Sequence, residues 1–162
     1  MLNKMINIIN NIEYGKPDFD PSELNELGFR ICYNTALLEH LGGASALSCL
    51  EEHNGEYVCD IYVDDLFLNL TIEEKVFIIF HELGHKKHNI MHKDGTLFDV
   101  YNSPLEIEIE ADSYAVENVG AEYGIIALEN TIETMSKFGA PYEALEEGRQ
   151  RLSYMKKMNN LQ

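Results

Sequence analysis

Apolar residues crowd together between Ile72 and Leu83, where Val76, Phe77, Ile78, Ile79 and Phe80 leave no polar side to a helix. A helix that is apolar all round is a buried helix. Thr71 and Glu74 stand three apart as a capping box at its start, and Lys86 and Lys87 suit the dipole at its end. The pattern predicts a helix from 71 to about 89. Upstream, 44–51 and 56–63 read as strands joined by a hairpin at His53-Asn54-Gly55. Met1 to Ile12 reads as a short amphipathic helix. Asp20-Pro21-Ser22-Glu23 opens a longer helix running to Leu41, with Gly42-Gly43 as its stop. Downstream, 90–102 reads as a loop. Helices are then expected at 104–118, opened by Ser103-Pro104, at 121–138, and at 141–158, opened by Pro141. The fold class expected from this pattern is α+β, a small antiparallel sheet packed on several helices. At 162 residues the chain is expected to form a single domain over 1–162.

Two positions break the pattern of the 104–118 helix. On a helical wheel Ile109, Ala111, Ala115, Val116 and Val119 form the buried stripe, and Glu108 and Asp112 fall in its middle. Glu106, Glu110, Ser113 and Glu117 fall on the opposite, polar face. Two acids one turn apart in an apolar stripe need partners to offset the cost of burial.

The buried helix ends in His81-Glu82-Leu83-Gly84-His85, an H-E-x-x-H sequence. Histidines four apart project from one helix face and can bind one Zn²⁺ at about 2.0–2.1 Å. Glu82 lies beside that face, placed to act as a general base rather than a ligand. A catalytic zinc takes three protein ligands. The metzincin pattern would need Gly at 88 and His at 91, where this chain has His88 and Met91. Glu108 is therefore the candidate third ligand, and Asp112 the candidate partner of a ligating histidine. For a donor to the oxyanion of an acyl-transfer step, Tyr101, Tyr114, His88 and His92 all remain open.

His81 to His85, followed by Glu108-x-x-x-Asp112, resembles the gluzincin arrangement. Within that group, roughly residues 45 to 120 resemble the ImmA/IrrE family of small metallopeptidases. The likeness rests on the strand ending Ile61-Tyr62-Val63-Asp64, on Glu108-Ile109-Glu110-Ala111-Asp112-Ser113-Tyr114-Ala115, and on the distance between the two motifs. The chain departs from the family at Asp112, usually Asn, at Tyr114, usually Phe, and in lacking the L-L-x-P run that follows. The resemblance implies a zincin-like core and zinc held by His81, His85 and Glu108. It further implies Glu82 as catalytic base, and cleavage of a protein substrate such as a DNA-binding repressor or regulator. In zincins an edge strand beside the metal helix pairs with extended substrate, and 56–63 is the strand expected to do so. The competing expectation is a catalytically silent protein of the same fold that sequesters a basic regulator.

Charge narrows the partners. Twelve basic against 28 acidic residues give a net charge of −16. From Asp99 to Glu147 there are twelve acids and one base, Lys137. Direct nucleic-acid binding needs Lys and Arg against phosphate, so this balance argues against it. It is compatible with solvated helix faces or with attraction to a basic protein. The basic residues near the end, Arg149, Arg151, Lys156 and Lys157, read as a solvated helix face. Cys32, Cys49 and Cys59 contain no C-x-x-C and suggest reduced thiols. No stretch reaches ~18 apolar residues, so no membrane span is expected. Met1 to Ile12, broken by four asparagines, lacks an export core. A reducing cytoplasm is the expected location.

Overall fold

The computed structural model describes residues 1–11, 28–33, 46–53, 56–87 and 104–161. Its elements are α1 (Leu2–Asn10), β1 (Phe29–Tyr33), β2 (Ala46–His53), β3 (Glu56–Val63), α2 (Asp65–Leu68), α3 (Ile72–Lys87), α4 (Pro104–Val119), α5 (Ala121–Lys137) and α6 (Tyr142–Leu161). The first turn of α3 is capped as the sequence suggests, with Glu74 N donating to Thr71 Oγ1 at 3.3 Å. The other half of the box is used differently, because Glu74 Oε1 accepts from Asn130 on α5. Asp64 caps α2 by accepting from Phe67 N at 3.1 Å, which seats the Phe67 ring in the core.

Helix α3 is the central element. Of the run that has no polar side, Val76, Phe77, Ile79 and Phe80 are buried and Ile78 is half-buried. It packs against α4, α5, α1 and β2, with α4 the most extensive neighbour. Phe29, Ile61 and Val63 from the sheet, Met5 and Ile9 from α1, and Met155 from α6 complete one contiguous core. Helices α5 and α6 lie against each other, and Gly120, at φ 89°, provides the break between α4 and α5 that a side-chain-bearing residue would resist.

The sheet corrects the expected fold class. Strands β2 and β3 do form an antiparallel pair, from Ala46 opposite Val63 to His53 opposite Glu56. The third strand, β1, runs parallel to β3, from Phe29 opposite Cys59 to Tyr33 opposite Val63. The sheet is thus mixed, in the order β1-β3-β2, and not a small antiparallel sheet. With helices dominating the described residues and a parallel pair in the sheet, the expected zincin-like core is not seen among them. The helix expected to run to Leu41 is also corrected, since 29–33 is strand. The physical reason lies in Arg30 and Asp60, register partners in the parallel pair. Arg30 Nη2 donates to Asp60 Oδ2 at 3.0 Å and Arg30 Nε to Oδ1, and both residues are buried. Burying that ion pair needs both prongs satisfied, and only the strand places Arg30 opposite Asp60. The rest of the expected helix, and the 90–102 loop, lie outside the described residues.

Strand order corrects a second expectation. Strand β3 lies between β1 and β2, and 59–63 has a paired strand on each side, so this half of 56–63 is the centre of the sheet and not an edge. Cys59 is buried and Cys32 half-buried, and neither forms a disulfide. No described helix is long and apolar enough to cross a membrane.

Candidate metal centre

The end of α3 and the middle of α4 come together because residue 84 has no side chain. A Cβ on Gly84 would stand 2.8 Å from Ala111 Cα, 2.9 Å from Ala111 O and 3.2 Å from Tyr114 Cβ. Glycine here, against a small and fully buried Ala111, lets the two backbones approach closely. Ala111 is flanked on its helix by Glu108 and Asp112, so the same contact sets Glu108 against both histidines and Asp112 against His81.

Three donor groups converge there. Nε2 of His81 and Nε2 of His85 stand 3.1 Å apart, their rings at 88°. Glu108 Oε2 lies 3.1 Å from His81 Nε2, and Glu108 Oε1 lies 3.4 Å from His85 Nε2. Donors each about 2.0–2.1 Å from a tetrahedral zinc are separated by roughly 3.3 Å. Glu108 meets the two histidines through different oxygens; taking one ligand atom from each residue, the three lie within 4.8 Å of one another, close enough to share one ion. Two imidazoles and a carboxylate are also a donor set suited to zinc. Among the described residues this is the one His/Cys/Asp/Glu cluster able to hold a metal ion. Glu82, the residue after the first histidine, is buried.

Behind the donors lies a second layer. His81 Nδ1 donates to Asp112 Oδ1 at 2.7 Å, leaving Nε2 on the donor side. Asp112 is fully buried. Arg151, from α6, donates to it twice: Nε to Oδ2 and Nη2 to Oδ1, both at 2.8 Å. Arg151 Nη1 also lies 3.4 Å from Glu108 Oε2. The reading of Arg151 as part of a solvated face is therefore corrected. Its side chain is 16 % exposed and belongs to the site. The missed signal is spacing. Arg151 follows buried Gly148 by three residues and precedes buried Met155 by four, which puts it on the inner stripe of α6. Exposed Arg149, Lys156 and Lys157 on either side obscure that stripe.

Electrostatics describe a site that demands positive charge. Burial alone would push Glu108 and Asp112 up. The hydrogen bonds from His81 and His85 to Glu108, and from Arg151 and His81 to Asp112, together with the nearby cationic charge, hold both carboxyls well below the ordinary range. For His81, burial opposes the charged form, but Asp112 and Glu108 outweigh it and raise the imidazole to about 10. Without a metal, the His81 proton supplies positive charge that a bound cation would replace. Glu147, one turn before Arg151 on α6, is pushed up by burial and by the charge of Glu108.

His85 Nδ1 is buried and has no hydrogen-bond partner among the described residues. Tyr114 is half-buried and meets Phe80 edge-on, with ring centroids 6.4 Å apart. His88, His92 and Tyr101, the other residues considered for oxyanion stabilisation, lie outside the described residues, as does Ser103. No protein-family model, curated protein or solved structure matches this chain.

Proposed function

We propose that this protein is a zinc-dependent metallopeptidase that hydrolyses a peptide bond in a protein substrate. The observation that carries the reading is the convergence of His81, His85 and Glu108, one ligand atom from each lying within 4.8 Å of the others, with buried Glu82 next to the first of them in sequence. A zinc ion held by those three residues supplies a Lewis acid that polarises a carbonyl and acidifies water. The chain supplies the rest. The Glu82 carboxylate accepts a proton from the attacking water and passes it to the leaving amine nitrogen. Asp112 holds the His81 ring in one orientation through Nδ1. Packing of α3 against α4 fixes Glu108 relative to the two histidines.

The motif likeness to the ImmA/IrrE metallopeptidases supports a protein substrate, and the −16 net charge favours a basic one such as a DNA-binding regulator. An acidic surface raises the encounter rate with a basic partner and repels nucleic acid.

The test is elemental analysis of protein purified without chelators, beside Glu108→Ala and Glu82→Gln. The expected result is about one zinc per wild-type chain. Glu108→Ala should hold it weakly. Glu82→Gln should retain it and lose hydrolysis of a mixed pool of basic proteins. A wild type that takes up no zinc, or a fully active Glu82→Gln, overturns the reading.

A further inference from the structure

The C-terminal helix sends one side chain into the centre, and the peptidase reading assigns it no task. Arg151 reaches from α6 to both acids of α4, gripping Asp112 with two prongs and approaching Glu108 with the third nitrogen. We propose that Arg151 is a positioning residue: it fixes the Asp112 carboxylate so that His81 presents Nε2, as a lone-pair donor, toward the metal. This rests on the metal-centre reading and extends it to a part of the chain outside both sequence motifs.

The argument is one of donors and acceptors. A guanidinium can only donate. An ionised carboxylate can only accept. Asp112 Oδ1 receives Arg151 Nη2 at 2.8 Å and faces His81 Nδ1 at 2.7 Å, while Oδ2 receives Arg151 Nε. The hydrogen between Asp112 and His81 therefore sits on Nδ1, and the other ring nitrogen is the one facing His85 and Glu108. The fork geometry also fixes the plane of the carboxylate, which one rotatable ammonium cannot do. An isolated carboxylate on a helix could turn about its own bonds. A two-pronged grip removes that freedom, and with it the freedom of the imidazole.

A tie that merely joins α4 to α6 predicts something different. Removing one member of such a buried pair lowers the stability of the fold, but zinc affinity of the folded protein would then be unaffected.

The experiment uses the 162-residue chain and titrates zinc against a chromophoric chelator for wild type, Arg151→Met, Arg151→Lys and the exposed control Arg149→Met. Cobalt absorption spectra and ring ¹⁵N shifts of His81 in the metal-loaded proteins are recorded alongside. Arg151→Met should weaken zinc binding about 10-fold or more and change the cobalt spectrum. Arg151→Lys should recover part of the affinity, and Arg149→Met should match wild type. Wild-type affinity and spectrum in Arg151→Met overturn the inference even if its melting temperature falls. Should Arg151→Met not fold, Arg151→Lys decides: weakened zinc binding supports the role, and unchanged binding overturns it. Failure of the metal reading looks different, because wild type itself would then bind no zinc, and both proposals would fall.

Discussion

Asp112 Oδ1 accepts from Nδ1 of His81 at 2.7 Å, while the opposite nitrogen of that ring lies 3.1 Å from Glu108. Two acids one turn apart on a single helix thus hold the two ends of one imidazole. Such outer partners of a metal-ligating histidine typically contribute 10–100-fold to metal affinity. Asp112→Ala should weaken zinc binding by about that factor while His81, His85 and Glu108 stay in place. Asp112→Asn keeps an acceptor for Nδ1 and should lose less. Competition with a chelator of known affinity ranks the three proteins, and equal affinities would show that Asp112 has no part in the site.

Gly84 offers a test that touches no donor atom. A methyl group there would meet the backbone of Ala111 at 2.8 and 2.9 Å, and a backbone cannot rotate away as a side chain can. Alanine has the higher helix propensity, by up to ~1 kcal/mol. The clash costs about 1–3 kcal/mol, so Gly84→Ala should be destabilised in urea. Because α3 carries the histidines and α4 carries Glu108, separating them should also weaken zinc binding. A variant with wild-type zinc affinity would show that the close approach is not what sets the donor spacing.

The sequence makes the centre of this molecule legible and leaves its periphery obscure, for physical reasons. Helix α3 announces itself because a run such as Val76 to Phe80 has no polar side to expose, and His81, Glu82 and His85 lie at local helical spacing. The two acids of α4 are legible by contradiction, since Glu108 and Asp112 interrupt an apolar stripe; the structure brings both against the histidines. Strand β1 is hidden because its pairing is non-local. Arg30 falls inside the expected helix running to Leu41, and nothing local shows that Asp60, 30 residues on, lies opposite it. Alternation within β3 cannot reveal that it has neighbours on both sides. Arg151 is hidden because its partner sits 39 residues earlier and three other cations surround it in sequence.

Acid should loosen the metal-free protein through the same carboxylates. Asp112 is held below its ordinary value in the folded chain, by hydrogen bonds from Arg151 and His81 that outweigh burial. A depressed carboxyl contributes stability that is fully present above the unfolded value near pH ~4 and is lost as pH falls toward the folded value. Glu108 acts in the same direction. Urea unfolding in the presence of chelator should therefore show stability falling between about pH 5 and about pH 3. Asp112→Asn, starting from a lower stability, should show a shallower fall. Parallel curves for the two proteins would mean that Asp112 is not the group being titrated.

The Arg30–Asp60 pair separates fold from site. It joins β1 to β3 inside the protein, whereas the donors sit on α3 and α4. Removing one member of a buried pair leaves the other charge poorly compensated and typically costs 3–5 kcal/mol. Arg30→Met should thus be strongly destabilised, while replacing both, as Arg30→Met with Asp60→Leu, should restore much of the loss, because an apolar pair of similar size avoids the desolvation of two charges. At a temperature where all three proteins are folded, zinc affinity should be the same in each. Chemical denaturation gives the first comparison and chelator competition the second. A double variant no more stable than Arg30→Met would mean that the charges fix the parallel register of β1 and do more than satisfy each other. A drop in zinc affinity in the folded single variant would mean that the sheet reaches the centre through α3, which packs on β2.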